Sequence, residues 1–162
     1  GLSQTVYSLE APKGLKGGRI YLDEASVTAT ENALIAASGA RGTTVIANAA
    51  SEPHVQGLCA MLGQMGVTIE GVGSNILTVH GTDSFASTKH TVGGDYIEAG
   101  SLIGLAACTG SDITITGVDA EQMRMILFQF GRLGVVTEVD EAAGRAPHVT
   151  PWRPAAGRQS GS

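Results

Sequence analysis

Two hydrophobic periods alternate along this chain. "GRIYL" (Gly18 to Leu22) reads as a short strand, and "TTVIANA" (Thr43 to Ala49) as a second strand rich in β-branched residues. Between them, Leu34, Ile35, Ala37 and Ser38 continue a helix that ends at Gly39. Ser26 or Thr28 can cap its start, with Glu31 three residues after Thr28. Glu52 and Pro53 open another helix, whose Val55, Leu58, Cys59, Leu62 and Met65 fall at helical spacing and whose end is set by Gly66. "VTIEGVGSNILTVHG" (Val67 to Gly81) then predicts two strands around Gly73-Ser74-Asn75. The predicted order is β-α-β-α-β-β.

The same text recurs. A shift of 68 positions carries Gly42 onto Gly110, Leu62 onto Phe130, Gly63 onto Gly131, Gly66 onto Gly134 and Glu70 onto Glu138, without a gap from Ala29 to Glu70. Self-similarity of that length marks a duplicated unit. The second copy predicts a helix over Tyr96 to Thr109, a strand over Ile113 to Thr116, a helix over Ala120 to Leu133 and a strand over Val135 to Val139. Residues 14–90 are read as the first unit and 91–141 as an incomplete second one. From Ala142 the composition turns to proline, arginine and glycine, so 142–162 is expected to be a disordered tail. Its "HVTPW" (His148 to Trp152) is a candidate last strand broken by Pro151.

Composition narrows the class. The chain has 162 residues, 43 % apolar, 15 % charged and 4 % aromatic, with a net charge of −5. After Gly144 the only charged residues are Arg145, Arg153 and Arg158, leaving seven basic against fifteen acidic residues before them. An acidic body repels nucleic acid and anionic membranes, so neither is an expected partner. It can still bind a small anion locally at a helix N-terminus. No apolar run reaches membrane-spanning length and no signal peptide is read. Cys59 and Cys108 lie in apolar helical patterns without a Cys-x-x-Cys, which predicts buried thiols and a reducing compartment. His54, His80 and His90 lack ligand spacing, so no metal or cofactor is expected.

"SVTATENALIAA", "GTTVIANAASEP", "LGQMGVTIEGVGSN" and "DYIEAGSLIGLAA" together closely resemble the UDP-N-acetylglucosamine 1-carboxyvinyltransferases, over about Gly14 to Asp140. The resemblance implies a fold class of α/β type, with repeated βαβαββ units of the inverse α/β barrel, the second truncated here. It implies a fragment, about a third of an enzyme of six such units in two domains. That enzyme moves the enolpyruvyl group of phosphoenolpyruvate to the 3′-hydroxyl of UDP-N-acetylglucosamine in the bacterial cytoplasm, for peptidoglycan precursors. Thr91 to Gly94 then resembles an interdomain crossing. The alternatives are a non-catalytic α/β repeat module, a related 3-phosphoshikimate 1-carboxyvinyltransferase fragment, or an RNA 3′-terminal phosphate cyclase, which the acidic body disfavours.

By the same resemblance, Glu24, Ala25, Ser26, Val27 and Thr28 form the loop for the uridine diphosphate. Amides at a helix start with two hydroxyls suit a phosphate, although the same residues make an ordinary helix cap. Two departures stand out: Glu24 replaces a frequent lysine, and Thr28 a glycine. Glu52, Asp95 and Glu98 match segments near the cleft, with His54 in place of a usual acid and Tyr96 of a usual arginine. Glu52 also suits a helix's positive end, and Asp95 a cap. No catalytic residue of the family is expected in this chain: the reactive cysteine, the phosphoenolpyruvate-binding cations and the catalytic aspartate match no position here.

Overall fold

A computed structural model describes residue 8, residues 10–140 and residues 146–149. The chain divides into two compact units, Gly1–His90 and Thr91–Ser162. In the first, β1 (Arg19–Tyr21), α1 (Val27–Ser38), β2 (Thr43–Ala47), α2 (Pro53–Gln64), β3 (Thr68–Glu70) and β4 (Ile76–His80) follow the predicted order. The sheet order is β1-β2-β4-β3; β1 and β2 are parallel, and the other pairs antiparallel.

Alternation along β2 and β4 fixes the register. Thr44, Ile46, Leu77 and Val79 are buried, and Ile46 pairs with Leu77. Ile46, Leu77 and Val79 meet Leu34 and Ala37 of α1 and Val55, Cys59 and Leu62 of α2 in one core. The positions that alternate with these turn to the other face, where Thr43 Oγ1 lies 3.2 Å from His80 Nδ1 and His80 Nε2 lies 2.9 Å from Glu70 Oε1. A one-residue slip would carry this polar row into the core, so the pairing is strongly specified.

The second unit contains α3 (Tyr96–Thr109), β5 (Ile113–Thr114), α4 (Ala120–Arg132), β6 (Thr137–Asp140) and β7 (Ala146–Val149). Its sheet order is β5-β7-β6, all antiparallel, and its core joins Ala99, Ile103, Ala106, Ile115, Val118, Met123 and Val135. The 68-residue shift reproduces fine detail as well as order. Gly66 has φ 97° after α2 and the Val67 amide donates to Leu62 O at 3.0 Å; Gly134 has φ 87° after α4 and the Val135 amide donates to Phe130 O at 3.0 Å. Each closes its helix through a left-handed glycine.

Two expectations need correction. Residues 146–149, assigned to the tail, form β7 between β5 and β6, so the sixth element of the repeat is present. The candidate strand His148 to Trp152 therefore starts earlier, and its remainder, like most of 142–162, lies outside the described residues. Cys108 is exposed rather than buried, whereas Cys59 is buried. On α3 the inward positions are the small Ala99 and Ala106 with Ile103, while Leu102, Leu105 and Cys108 face outward.

Candidate functional site

Because β1 and β2 are parallel, both deliver the chain to the same edge of their sheet. There the N-termini of α1 and α2 begin. Ser26 caps α1 from an extended backbone, and its Oγ accepts from the Ala29 amide at 3.2 Å. The Ser26 carbonyl accepts from the Thr30 amide at 3.0 Å. That leaves the Val27 and Thr28 amides of the first turn without a protein partner among the described residues. Thr28 is thus inside the helix rather than its cap. Ser26 and Val27 are half-buried; Glu24, Ala25 and Thr28 are exposed.

A buried strut holds this turn. Thr30 is 0 % exposed; its Oγ1 donates to Ser26 O at 2.8 Å and accepts from the Ala50 amide at 2.9 Å. Asn48 adds a second tie. It adopts φ 57°, the only positive φ at a non-glycine residue among those described, and its Nδ2 donates to Leu22 O at 2.9 Å. Asparagine tolerates that conformation better than most residues. A third tie runs from the Ala49 amide to Asn75 O, at 2.9 Å. Together they lock the β1–α1, β2–α2 and β3–β4 connections. Sequence reasoning passed over Thr30 and Asn48; the available signal was an asparagine at a strand's end, before Ala49-Ala50.

The charge pattern differs between helix starts. Neither α1 nor α2 has an acid in its first turn. Glu52 is the N-cap residue of α2 but makes no side-chain capping hydrogen bond, and Pro53 follows at the first helical position. In the second unit Asp95 caps α3, its Oδ1 accepting from the Ile97 and Glu98 amides at 2.8 and 3.3 Å, with Glu98 in the first turn. Asp119 caps α4, accepting from the Glu121 amide at 2.9 Å. Those carboxylates already occupy the positive helix ends, so the second unit offers no place for an anion there. Glu52 shares the edge with Ser26; Asp95 and Glu98 belong to the other unit.

Among the described residues, no three His, Cys, Asp or Glu side chains cluster as a metal site, and no helix is long and apolar enough to cross a membrane. Burial raises the Cys59 thiol above its ordinary value, which keeps it protonated and unreactive.

Comparison with known proteins gives this geometry a family. Residues 3–151 match the family described as EPSP synthase (3-phosphoshikimate 1-carboxyvinyltransferase). The UDP-N-acetylglucosamine 1-carboxyvinyltransferase of Treponema denticola is 59 % identical over 121 residues, 75 % of this chain and 28 % of that protein. Its counterpart in Bacteroides thetaiotaomicron is 49 % identical over 136 residues, 84 % of this chain and 31 % of that one. This chain thus spans under a third of the length of these relatives. Among solved structures, the enolpyruvyl transferase NikO from Streptomyces tendae matches with a TM-score of 0.69 at 22 % identity, covering 88 % of this chain and 38 % of that one. EPSP synthase from Acinetobacter baumannii matches with a TM-score of 0.57 at 25 % identity, over 85 % and 32 % of the two chains. The first of these two likenesses concerns fold alone; the sequence match carries the assignment: this chain belongs to the EPSP synthase family of carboxyvinyltransferases.

Proposed function

We propose that this chain is part of a UDP-N-acetylglucosamine 1-carboxyvinyltransferase of the bacterial cytoplasm, and that it contributes a portion of the nucleotide-sugar surface. In the proposed reaction the sugar 3′-hydroxyl attacks C2 of phosphoenolpyruvate, and the resulting adduct loses phosphate. The units are proposed to be pieces of two inverse α/β barrels. Identities of 49 to 59 % to proteins of that name support this reading over the 3-phosphoshikimate enzyme.

The observation that carries the local role is the start of α1: a neutral Ser26 cap, the two first-turn amides of Val27 and Thr28, and no acid in that turn. Such a helix end favours a diphosphate through its amides and its dipole. Glu24, exposed just before the cap, opposes it. Ala25 sets the approach, Glu52 lies at the neighbouring helix start, and Asp95 and Glu98 act as capping and first-turn groups of α3.

Calorimetric titration with UDP-N-acetylglucosamine tests the assignment. The chain should bind weakly, and both Ser26→Ala and Thr28→Phe should reduce binding. Affinity untouched by both changes would remove the loop from the site. Phosphate release from phosphoenolpyruvate in the presence of the nucleotide sugar should stay at the blank level. Turnover above it would overturn the partial-enzyme reading, because removing a cooperating set of catalytic groups leaves little beyond binding.

A further inference from the structure

A polar row crosses the sheet of the first unit on the face away from its core. Thr43 of β2 stands opposite His80 of β4, and Glu70 of β3 lies diagonal to His80, opposite Thr78. Thr43 Oγ1 is 3.2 Å from His80 Nδ1, and His80 Nε2 is 2.9 Å from Glu70 Oε1. Thr43 is exposed, and the His80 and Glu70 side chains are 43 % and 67 % exposed, so a dissolved reactant can reach all three. The second unit repeats the residue types. Its register sets His148 of β7 opposite both Thr114 of β5 and Glu138 of β6, and the 68-residue shift carries Glu70 to Glu138 and His80 to His148.

We propose that Thr43, His80 and Glu70 form a nucleophilic site that accepts acyl groups from small activated esters, with Thr43 Oγ1 as nucleophile, His80 as general base and Glu70 as the group that positions the base. A hydroxyl is a weak nucleophile unless a base removes its proton as the new bond forms, and the geometric mark of such a pair is a base within hydrogen-bond reach that is itself oriented by a third group. The two bonds of the ring select one neutral tautomer. Glu70 accepts only from a protonated Nε2, which leaves the Nδ1 lone pair facing Thr43 Oγ1. In the step, Thr43 Oγ1 bonds to the carbonyl carbon of the ester while its proton passes to His80 Nδ1. The tetrahedral adduct then expels the leaving oxygen, His80 returns the proton to it or to water, and Thr43 keeps the acyl group as an ester. Nothing is oxidised or reduced, and the ester is the sole co-reactant.

The surroundings single out Thr43. Thr68 of β3 also stands opposite His80 and is exposed, yet the ring turns Nε2 to Glu70 and Nδ1 to Thr43. Thr68 is therefore a threonine on the same face without the base. On the side of Thr43 away from His80, Gly17 abuts the Thr43 backbone, and having no side chain it leaves room for a small acyl group. Arg19 pairs opposite Val45, two residues along β2 from Thr43, which puts a cation on the face where the adduct becomes an oxyanion.

The test treats the full chain with para-nitrophenyl acetate and follows the ester formed at each threonine by peptide mass mapping. Thr43 should acylate about a hundredfold faster than Thr68, because general-base help is worth about 10²–10⁴ and an exposed site takes the lower end. That comparison needs no variant. His80→Gln should bring Thr43 down to the rate of Thr68. Glu70→Gln should slow Thr43 about twofold to fivefold, the modest effect of a solvent-exposed pair, and leave Thr68 unchanged. Amide protection at Ile46 and Leu77, followed in each variant, separates lost chemistry from lost fold. Equal rates at Thr43 and Thr68 in the parent chain would overturn the proposal, as would acetyl groups that stop on His80 or a Thr43 rate unmoved by His80→Gln in a folded variant. A rate unmoved by Glu70→Gln would remove Glu70 from the site.

Discussion

Thr30→Val removes one hydroxyl and leaves the shape of the side chain. The hydroxyl is fully buried and serves two connections: it donates to Ser26 O and accepts from the Ala50 amide. Ser26 O keeps its bond from the Thr30 amide, so the loss falls on Ala50. A buried N–H left without an acceptor costs about 1–3 kcal/mol, and a near-isosteric valine opens no cavity to add to it. A central value of about 2 kcal/mol corresponds to roughly 30-fold in an opening equilibrium. Native-state hydrogen exchange should show the Ala50 amide exchanging faster by that order, with Ile46 and Leu77 changing only by the global loss. Thr30→Ser keeps the hydroxyl and should keep Ala50 protected. Nucleotide-sugar binding should follow the same order, with Thr30→Val weaker than Thr30→Ser, because the strut holds the Ser26 turn. If Thr30→Val leaves both Ala50 protection and stability within 0.5 kcal/mol of the parent, an error smaller than the lowest expected cost, the strut is not what fixes this edge.

Three further outcomes follow from the same structure. Glu24→Lys should tighten binding of the nucleotide sugar about threefold to thirtyfold at low salt, since a charge near a helix start is worth about 0.3–1 kcal/mol and the change reverses it; the gain should shrink as salt is added. Gly81→Ala would drive a methyl into the carbonyls of Ala40 and Ala37, so urea unfolding of the first unit should shift down by about 1–3 kcal/mol or more. Desolvation raises Cys59 above its ordinary value of 9.0, so the folded state holds that proton longer; this contribution is complete below pH 9 and is lost as pH rises beyond it. The first unit should therefore weaken above pH 9, Cys59→Ala should flatten that slope, and Cys108 should be alkylated long before Cys59.

The first unit was legible because its signals agree. Glu52-Pro53 before a 3.6-period stripe, Gly66 after it, and β-branched runs at Thr43 and Ile76 each point to the element that forms. Where signals ran against one another, reading failed. "SLIGLAACT" is apolar all round, so periodicity cannot say which face turns inward; the core takes the small Ala99 and Ala106, and Cys108 is left outside. The last strand was placed two residues late, at His148 to Trp152, and within the tail, because Pro147 lies inside β7 and Arg145 stands just before it, which mimics a tail. Nor can a single sequence show a strut: Thr30 looks like any polar residue in a first turn until Ala50, 20 residues away, is brought to it.

The duplication also bears on why the proposed anion site belongs to the first copy. The helices of both units need their first-turn amides satisfied. The second unit solves this with carboxylates: Asp95 and Asp119 cap, and Glu98 and Glu121 follow in the first turns. The first unit uses the neutral Ser26 and leaves amides open. Under the 68-residue register Thr30 corresponds to Glu98 and Ala50 to Val118, so the strut has no counterpart in the second copy. A capping carboxylate stabilises its helix whether or not a ligand is present, whereas an open pair of amides gains its stabilisation only when an anion arrives. The copy that forgoes the stronger cap is the one whose connections are tied by Thr30, Asn48 and Asn75, and a turn held that firmly needs no carboxylate to stay in place.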